Sequence, residues 1–143
     1  MGRAAAELPP GRGDLTDLLV RLQHELYVAQ ADLASAPGAT PAKQRIQARH
    51  VERMEREIDR LSGTFEPIST FVLPRGGPAA TELHVARTVA RRAEREIWAL
   101  HRREPVAPAL VQWVNRLSDL LFAMALSLNR SDGFREAVPD SEV

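Results

Sequence analysis

Leucine, isoleucine, valine and alanine recur at spacings of three and four along most of this chain, and proline or glycine breaks each run. The first run, Leu15, Leu18, Leu22, Leu26, Ala29 and Leu33, traces one face of a helix reaching about Ser35. Asp14 stands where an N-cap belongs, Asp17 falls in the first turn where it complements the helix dipole, and Pro37-Gly38 ends the pattern. A narrower run follows through Ile46, His50 or Val51, Met54, Ile58 and Leu61. Thr40-Pro41 offers this second helix a cap and a first helical residue, and Gly63 a left-handed C-terminal cap. Glu52–Arg56 and Arg53–Glu57, each four apart, predict exposed ion pairs, and His50 reads as a half-buried stripe residue rather than a ligand.

The period then disappears. Pro67, Pro74, Gly76, Gly77 and Pro78 exclude a helix between Gly63 and Pro78. Phe65, Ile68, Phe71, Val72 and Leu73 are too apolar for a solvated linker, so this loop must pack on something. Helical spacing returns from about Ala79 to Arg102, with Leu83, Ala86, Ala90, Ala93, Ile97 and Leu100 as its seam. After Pro105 and Pro108, Leu110, Val114, Leu117, Leu121, Met124 and Leu128 share one face while Trp113, Leu120 and Phe122 lie off it. A helix apolar on so many sides is central or lies at a subunit interface. Ser131-Asp132-Gly133 closes it; residues 1–13 read as a loop or leader, and the tail to Val143 as loosely ordered. With no strand-like alternation and no internal repeat, residues 1–143 are expected to form a single domain, an all-α, up-down bundle of four main helices.

Composition narrows the function classes. A hydrophobic fraction of 44% and a charged fraction of 27% are those of an ordinary globular chain. Nineteen basic and nineteen acidic residues cancel, so overall charge indicates no nucleic-acid partner. The apolar run Leu120 to Leu126 falls far below the roughly 20 residues that cross a bilayer. Met1 to Gly13 lacks the apolar centre of a signal peptide, so no membrane partner and a cytoplasmic location are expected. The absence of cysteine excludes disulfides, thiolate metal sites and a cysteine nucleophile.

Few familiar sites survive inspection. None of His24, His50, His84 and His101 follows a glutamate at the Glu-x-x-His spacing of bundle di-iron sites, and no metal ligands are assigned. Neither G-x-S-x-G nor G-x-x-x-x-G-K-[ST] occurs. The arginines of the third helix stand apart: Arg87, Arg91 and Glu94 fall within about 60° of one another, with His84 close by. A guanidinium there suits phosphate, because its planar fork donates two parallel hydrogen bonds and keeps its charge. On the last helix Asn115, Ser118 and Asp119 cut a polar notch that needs partners, and Asp119 with Arg87 or Arg91 would supply one. Spacing leaves three readings open: a solvated salt-bridge face, which such helices most often are, an anion site, and nucleic-acid contact, which the lack of aromatic interleaving disfavours. Phe71 taken alone reads as a core residue.

Three blocks go beyond periodicity: F-V-L-P-R-G-G from Phe71, L-H-V-A-R-T-V-A-R-R-A-E-R from Leu83, and V-N-R-L-S-D-L-L-F from Val114. In content, order and separation they resemble the signature blocks of the PduO-type ATP:cob(I)alamin (corrinoid) adenosyltransferases. R-L-Q-H-E-L-Y-V-A-Q-A-D-L-A from Arg21 is similar to that family's second helix, so the likeness covers roughly residues 14–130. It implies a homotrimer of five-helix, ferritin-like bundles with active sites between subunits. The implied reaction moves the 5′-deoxyadenosyl group of ATP to the cobalt of cob(I)alamin or a related corrinoid, giving adenosylcobalamin and triphosphate. Mg²⁺ would assist, and a flavoprotein reductase is a candidate partner. The likeness further implies that Arg91, Arg92, Ala93, Glu94, Arg95 and Asn115 contact ATP, with Arg91 catalytic. Phe71 would be catalytic too, displacing the corrinoid's lower ligand, and Arg87 would pair with an aspartate of the adjacent subunit. The family's opening T-x-x-G-D-x-G-x-T stretch and first helix have no counterpart here, although Gly2 to Leu8 resembles the tail of that helix. The alternative expectation is therefore a non-catalytic oligomerising bundle that binds corrinoid or nucleotide.

Overall fold

The computed structural model describes residues 1–35 and 45–140, and among these it forms five helices and no strand. They are α1 (Gly2–Ala6), α2 (Gly13–Ala34), α3 (Ala48–Ser62), α4 (Pro78–His101) and α5 (Pro108–Ser131). Four are long, as the stripes require. The fifth, α1, forms within the segment read as a leader, because Ala4 finds a fully buried place against the core. Pro78 and Pro108 open α4 and α5 at positions where a missing N–H costs nothing.

The bundle is built around α5. Its apolar residues fall on every side except a strip through Gln112, Asn115, Arg116 and Asp119, so it is buried nearly throughout from Leu110 to Asn129. Helices α3 and α4 pack directly on it, and α2 lays Leu15, Leu18, Leu19, Leu22 and Ala29 into the same core. Leu120, Leu121 and Met124 have no exposed surface, and truncating such a side chain to alanine costs about 2–5 kcal/mol. No helix among the described residues is long and apolar enough to cross a membrane.

Helix ends depart from the sequence pattern. Arg12 rather than Asp14 occupies the N-cap position of α2, and Asp14 lies in the first turn, ion-paired to Arg12 and Arg60 at 3.2 Å each. Thr40 and Pro41 lie outside the described residues. Ile46 is buried but precedes α3, which begins at Ala48 behind a capping box in which the Gln47 N–H donates to His50 Nδ1 at 2.9 Å. Gly63 closes α3 in a right-handed conformation with φ of −68°, not the left-handed one expected. The last carbonyls are met instead by the N–H groups of Gly63 and Thr64, bonded to Asp59 and Leu61.

Two other expectations change once neighbouring helices are in place. Glu52–Arg56 and Arg53–Glu57 do not pair; Arg53 reaches Glu25 on α2, and Glu57 takes Arg21 and Arg60 at 3.2 and 2.8 Å. A nearly buried carboxylate demands a partner more strongly than a solvated one, which draws Arg53 across. Helix α4 is also turned from its expected seam. Leu83, His84, Ala90 and Glu94 are its buried face, while Ala86, Ala93 and Ile97 line an apolar groove of about 510 Å³ shared with Leu26 and Leu33 of α2. The segment after α5 is not loose: the Leu73 N–H donates to the Ala137 carbonyl at 2.8 Å, tying it to the loop before α4.

Candidate functional site

The turn of α4 puts its polar row against α5 rather than beside the core. Glu94 is only 7% exposed and has both carboxylate oxygens engaged. Arg91 Nη1, one turn earlier, donates to Oε2 at 2.9 Å, and Asn115 Nδ2 donates across from α5 to Oε1 at 2.8 Å. Such charge-assisted bonds are stronger than neutral ones and fix both donors in place. Arg91 nevertheless keeps 51% of its side chain exposed, so its remaining donors face outward. Arg95 Nη1 donates to the Arg91 carbonyl at 3.3 Å, and Arg92, Ala93 and Arg95 are exposed on the same stretch. Of Arg87, Arg91, Arg92 and Arg95, only Arg91 pairs with a carboxylate among the described residues. This is not a salt-bridge ladder. It is a cationic surface with one internal anchor.

One turn toward the start of α4 lies an aromatic stack that sequence reasoning missed. The Arg87 guanidinium sits 4.7 Å from the centroid of the Phe122 ring, an attractive cation–π geometry. His84 tilts against the same ring at 6.2 Å, 4% exposed and with no hydrogen bond to either ring nitrogen. Burial, and then the Arg87 charge, push the His84 pKa below its ordinary value of 6.5. The expected bond from Arg87 or Arg91 to Asp119 is not made. Arg116, one turn before Asp119 on its own helix, takes that carboxylate at 2.8 Å, which leaves Arg87 without an ion pair. In the sequence Phe122 lies off the apolar face of α5 and closes the block that begins at Val114, but neither fact shows that it faces Arg87.

Phe71 stands apart from both clusters. It is 89% exposed, which overturns its reading as a core residue. The loop buries other side chains instead: Phe65 packs on the core, and Val72 and Leu73 are partly covered. A phenylalanine left in water forgoes about 1.5–3 kcal/mol of burial. The loop around it is anchored: Arg75 N–H bonds to the Leu73 carbonyl at 2.8 Å, and the Arg75 carbonyl accepts from Asn129 Nδ2 at 2.9 Å. Arg91 lies roughly 20 Å along α4 from Pro78, at about 1.5 Å per residue. No bond or ring contact joins Phe71 to the arginines. Among the described residues, no group of three His, Cys, Asp or Glu side chains could hold a metal ion.

Comparison with known proteins now bears on this geometry. A family model described as cobalamin adenosyltransferase matches residues 1–128. A corrinoid adenosyltransferase of Bacillus subtilis is 38% identical over 135 residues, covering 93% of this chain and 69% of that protein. One from Mycobacterium tuberculosis is 38% identical over 135 residues, covering 90% of this chain and 64% of its own length. The chain thus spans about two thirds of these relatives. Among solved structures, a variant PduO-type ATP:corrinoid adenosyltransferase from Lactobacillus reuteri, complexed with cobalamin and ATP, superposes with a TM-score of 0.88. It is 29% identical and covers 98% of this chain and 78% of that one.

Proposed function

This chain belongs to the cobalamin adenosyltransferase family, and from that premise we propose that it transfers the 5′-deoxyadenosyl group of ATP to the cobalt of cob(I)alamin or a related corrinoid. The cobalt(I) electron pair forms a bond to C5′, the C5′–O bond breaks, and triphosphate departs with the pair of that broken bond. The products are adenosylcobalamin and triphosphate. The observation that carries the reading is the clamp of Arg91 and Asn115 on Glu94, because it fixes two of the proposed ATP contacts at one place between α4 and α5.

In this reading Glu94 is the anchor, and Arg91, Arg92 and Arg95 bind the triphosphate. Negative charge grows on the leaving oxygen as the C5′–O bond opens, and prearranged guanidinium donors stabilise it more than they stabilise bound ATP. Ala93 lets the nucleotide approach the helix. Phe71 covers the lower face of the corrin ring and keeps the corrinoid's lower ligand displaced, so that four-coordinate cobalt(II) is more easily reduced. That reduction needs an electron donor, for which a flavoprotein reductase is the proposed partner. Arg87 makes no ion pair among the described residues and rests on the Phe122 ring, which suits an arginine whose carboxylate comes from a neighbouring copy in a homotrimer. No group of three metal-ligating side chains occurs among the described residues, so Mg²⁺ would be carried by the triphosphate oxygens.

The experiment is direct. Chain incubated with ATP, Mg²⁺ and chemically reduced cob(I)alamin should develop the adenosylcobalamin absorption spectrum and release triphosphate. Binding of ATP and corrinoid without conversion would overturn the catalytic reading in favour of a binding bundle.

A further inference from the structure

Phe71 cannot hold itself. At 89% exposure its ring has almost nothing to lean on, so its position is set by the backbone that follows. That backbone converges on one side chain, Asn129, in the last turn of α5 and 1% exposed. Asn129 Nδ2 donates to the Arg75 carbonyl at 2.9 Å and to Glu136 Oε1 at 3.0 Å, so a single amide group joins the loop before α4 to the segment after α5. The Asn129 carbonyl accepts from the Phe134 N–H at 2.8 Å, and the Leu73 N–H closes on the Ala137 carbonyl at the same distance.

Gly76 completes the fit. Its φ of +142° suits glycine, and a Cβ added there would lie 1.9 Å from Asn129 Oδ1. The carboxamide oxygen therefore occupies the space a side chain at position 76 would need, and it is buried there with no hydrogen-bond partner among the described residues. Between the joined segments lies a cavity of about 480 Å³, walled by Ile68, Thr70 and Val72 of the loop, Leu126 of α5, and Phe134 and Val138 beyond it. Phe71 falls between Thr70 and Val72 in the chain, the two loop residues that line this cavity on either side of it.

We propose that Asn129 is a positioning residue for corrinoid chemistry: its carboxamide clamps Arg75-Gly76 to the Phe134–Ala137 segment and thereby sets where Phe71 is presented. The inference rests on the reading of Phe71 given above. A residue acting this way touches neither substrate, and its loss should separate the two substrates kinetically. Misplacement of a reacting or covering group by about 1 Å can cost as much as 100-fold in rate.

The test compares Asn129→Ala, Gly76→Ala and Phe71→Ala, each assayed for ATP dissociation constant, for KM and kcat with cob(I)alamin, and for the four-coordinate cob(II)alamin spectrum with ATP bound. Asn129→Ala is expected to lower kcat/KM for cob(I)alamin by about tenfold or more and to diminish the four-coordinate signal, with ATP affinity unchanged. Gly76→Ala attacks the same contact from the half-buried loop side, outside the helical core. It should reproduce the corrinoid-side loss even if the buried substitution unfolds the protein. If Phe71→Ala impairs corrinoid turnover while Gly76→Ala and a folded Asn129→Ala do not, the clamp is overturned. Parallel loss of ATP affinity in the two clamp variants would also overturn it. If Phe71→Ala is itself without effect, the reading beneath the inference falls, and the inference with it.

Discussion

Glu25 and Glu94 are each 7% exposed, each bound to an arginine, and each bonded to a donor on α5, at Trp113 and Asn115 respectively. The two α5 donors are two residues apart and so point to nearly opposite sides of the helix. What differs is where the arginine comes from. Arg53 reaches Glu25 from α3, so that one carboxylate ties α2, α3 and α5 together, and Trp113 Nε1 closes the knot at 2.7 Å in the core. Arg91 comes from the same helix as Glu94, and half of its side chain stays in water beside Arg92 and Arg95. One knot spends its donors on the fold. The other uses a buried carboxylate to hold an arginine outward, which is the arrangement an anion site needs.

The largest effect that separates them is on stability. Glu25→Leu strands a buried indole N–H and removes a cross-helix ion pair, and should cost about 3 kcal/mol in urea unfolding. Glu94→Leu should cost about 1 kcal/mol, because Arg91 and Asn115 can both turn to water. Equal losses would erase the distinction between a structural knot and a functional one.

The next effect is on ligand affinity. Arg91→Ala should weaken ATP binding by about 10- to 100-fold, equivalent to the roughly 1.5–3 kcal/mol of a charge-assisted hydrogen bond, with helicity intact. Arg53→Ala removes the same charge from the other knot and should leave ATP affinity unchanged in calorimetry. If both weaken ATP alike, the arginines act through overall charge and the comparison is broken.

The sequence carried the helices more clearly than it carried either knot. Stripes at three and four residues are properties of one helix, and α2, α4 and α5 lie where the stripes put them. Partner choice is a property of two helices. Asp119 was matched to Arg87 or Arg91 across the bundle, but Arg116 stands one turn away on the same helix and takes it. Glu25 sits in stripe register, Leu18, Leu22, Glu25, Ala29, and a charged residue at a core position is the sequence signal of such a knot. The three sequence blocks pointed to Arg91, Glu94 and Asn115 together, and the structure brings them into contact. His84 and Phe122 fall within those blocks and Asn129 beyond them, but none of the three takes a role from its position in the sequence, because their roles depend on what faces them in space.

The smallest effect is a matter of pH, and it divides the same two halves of the molecule. On the α2–α3 side, partial burial raises the carboxyl pKa values of Asp14 and Glu57, but hydrogen bonds and charge from Arg12 and Arg60, and from Arg60 and Arg21, outweigh it. Both end below their ordinary values of 3.8 and 4.5, so the stability they add is complete above those values and is lost as pH falls through the lower folded ones. On the α4–α5 side, His84 is held below its ordinary 6.5 by burial and then by Arg87. The unfolded chain therefore takes up a proton first, and stability starts to fall once pH drops below about 6.5, well before the carboxylates protonate. Unfolding free energy measured from pH 8 to pH 3 should show both limbs. His84→Leu should flatten the slope just below about pH 6.5 and leave the acid limb in place, whereas Arg60→Gln, by letting the folded pKa values of Asp14 and Glu57 rise toward their unfolded ones, should shrink the acid limb and leave the upper slope alone. An upper slope that survives the loss of His84 would show that the buried imidazole is not the group being protonated on the arginine side of the bundle.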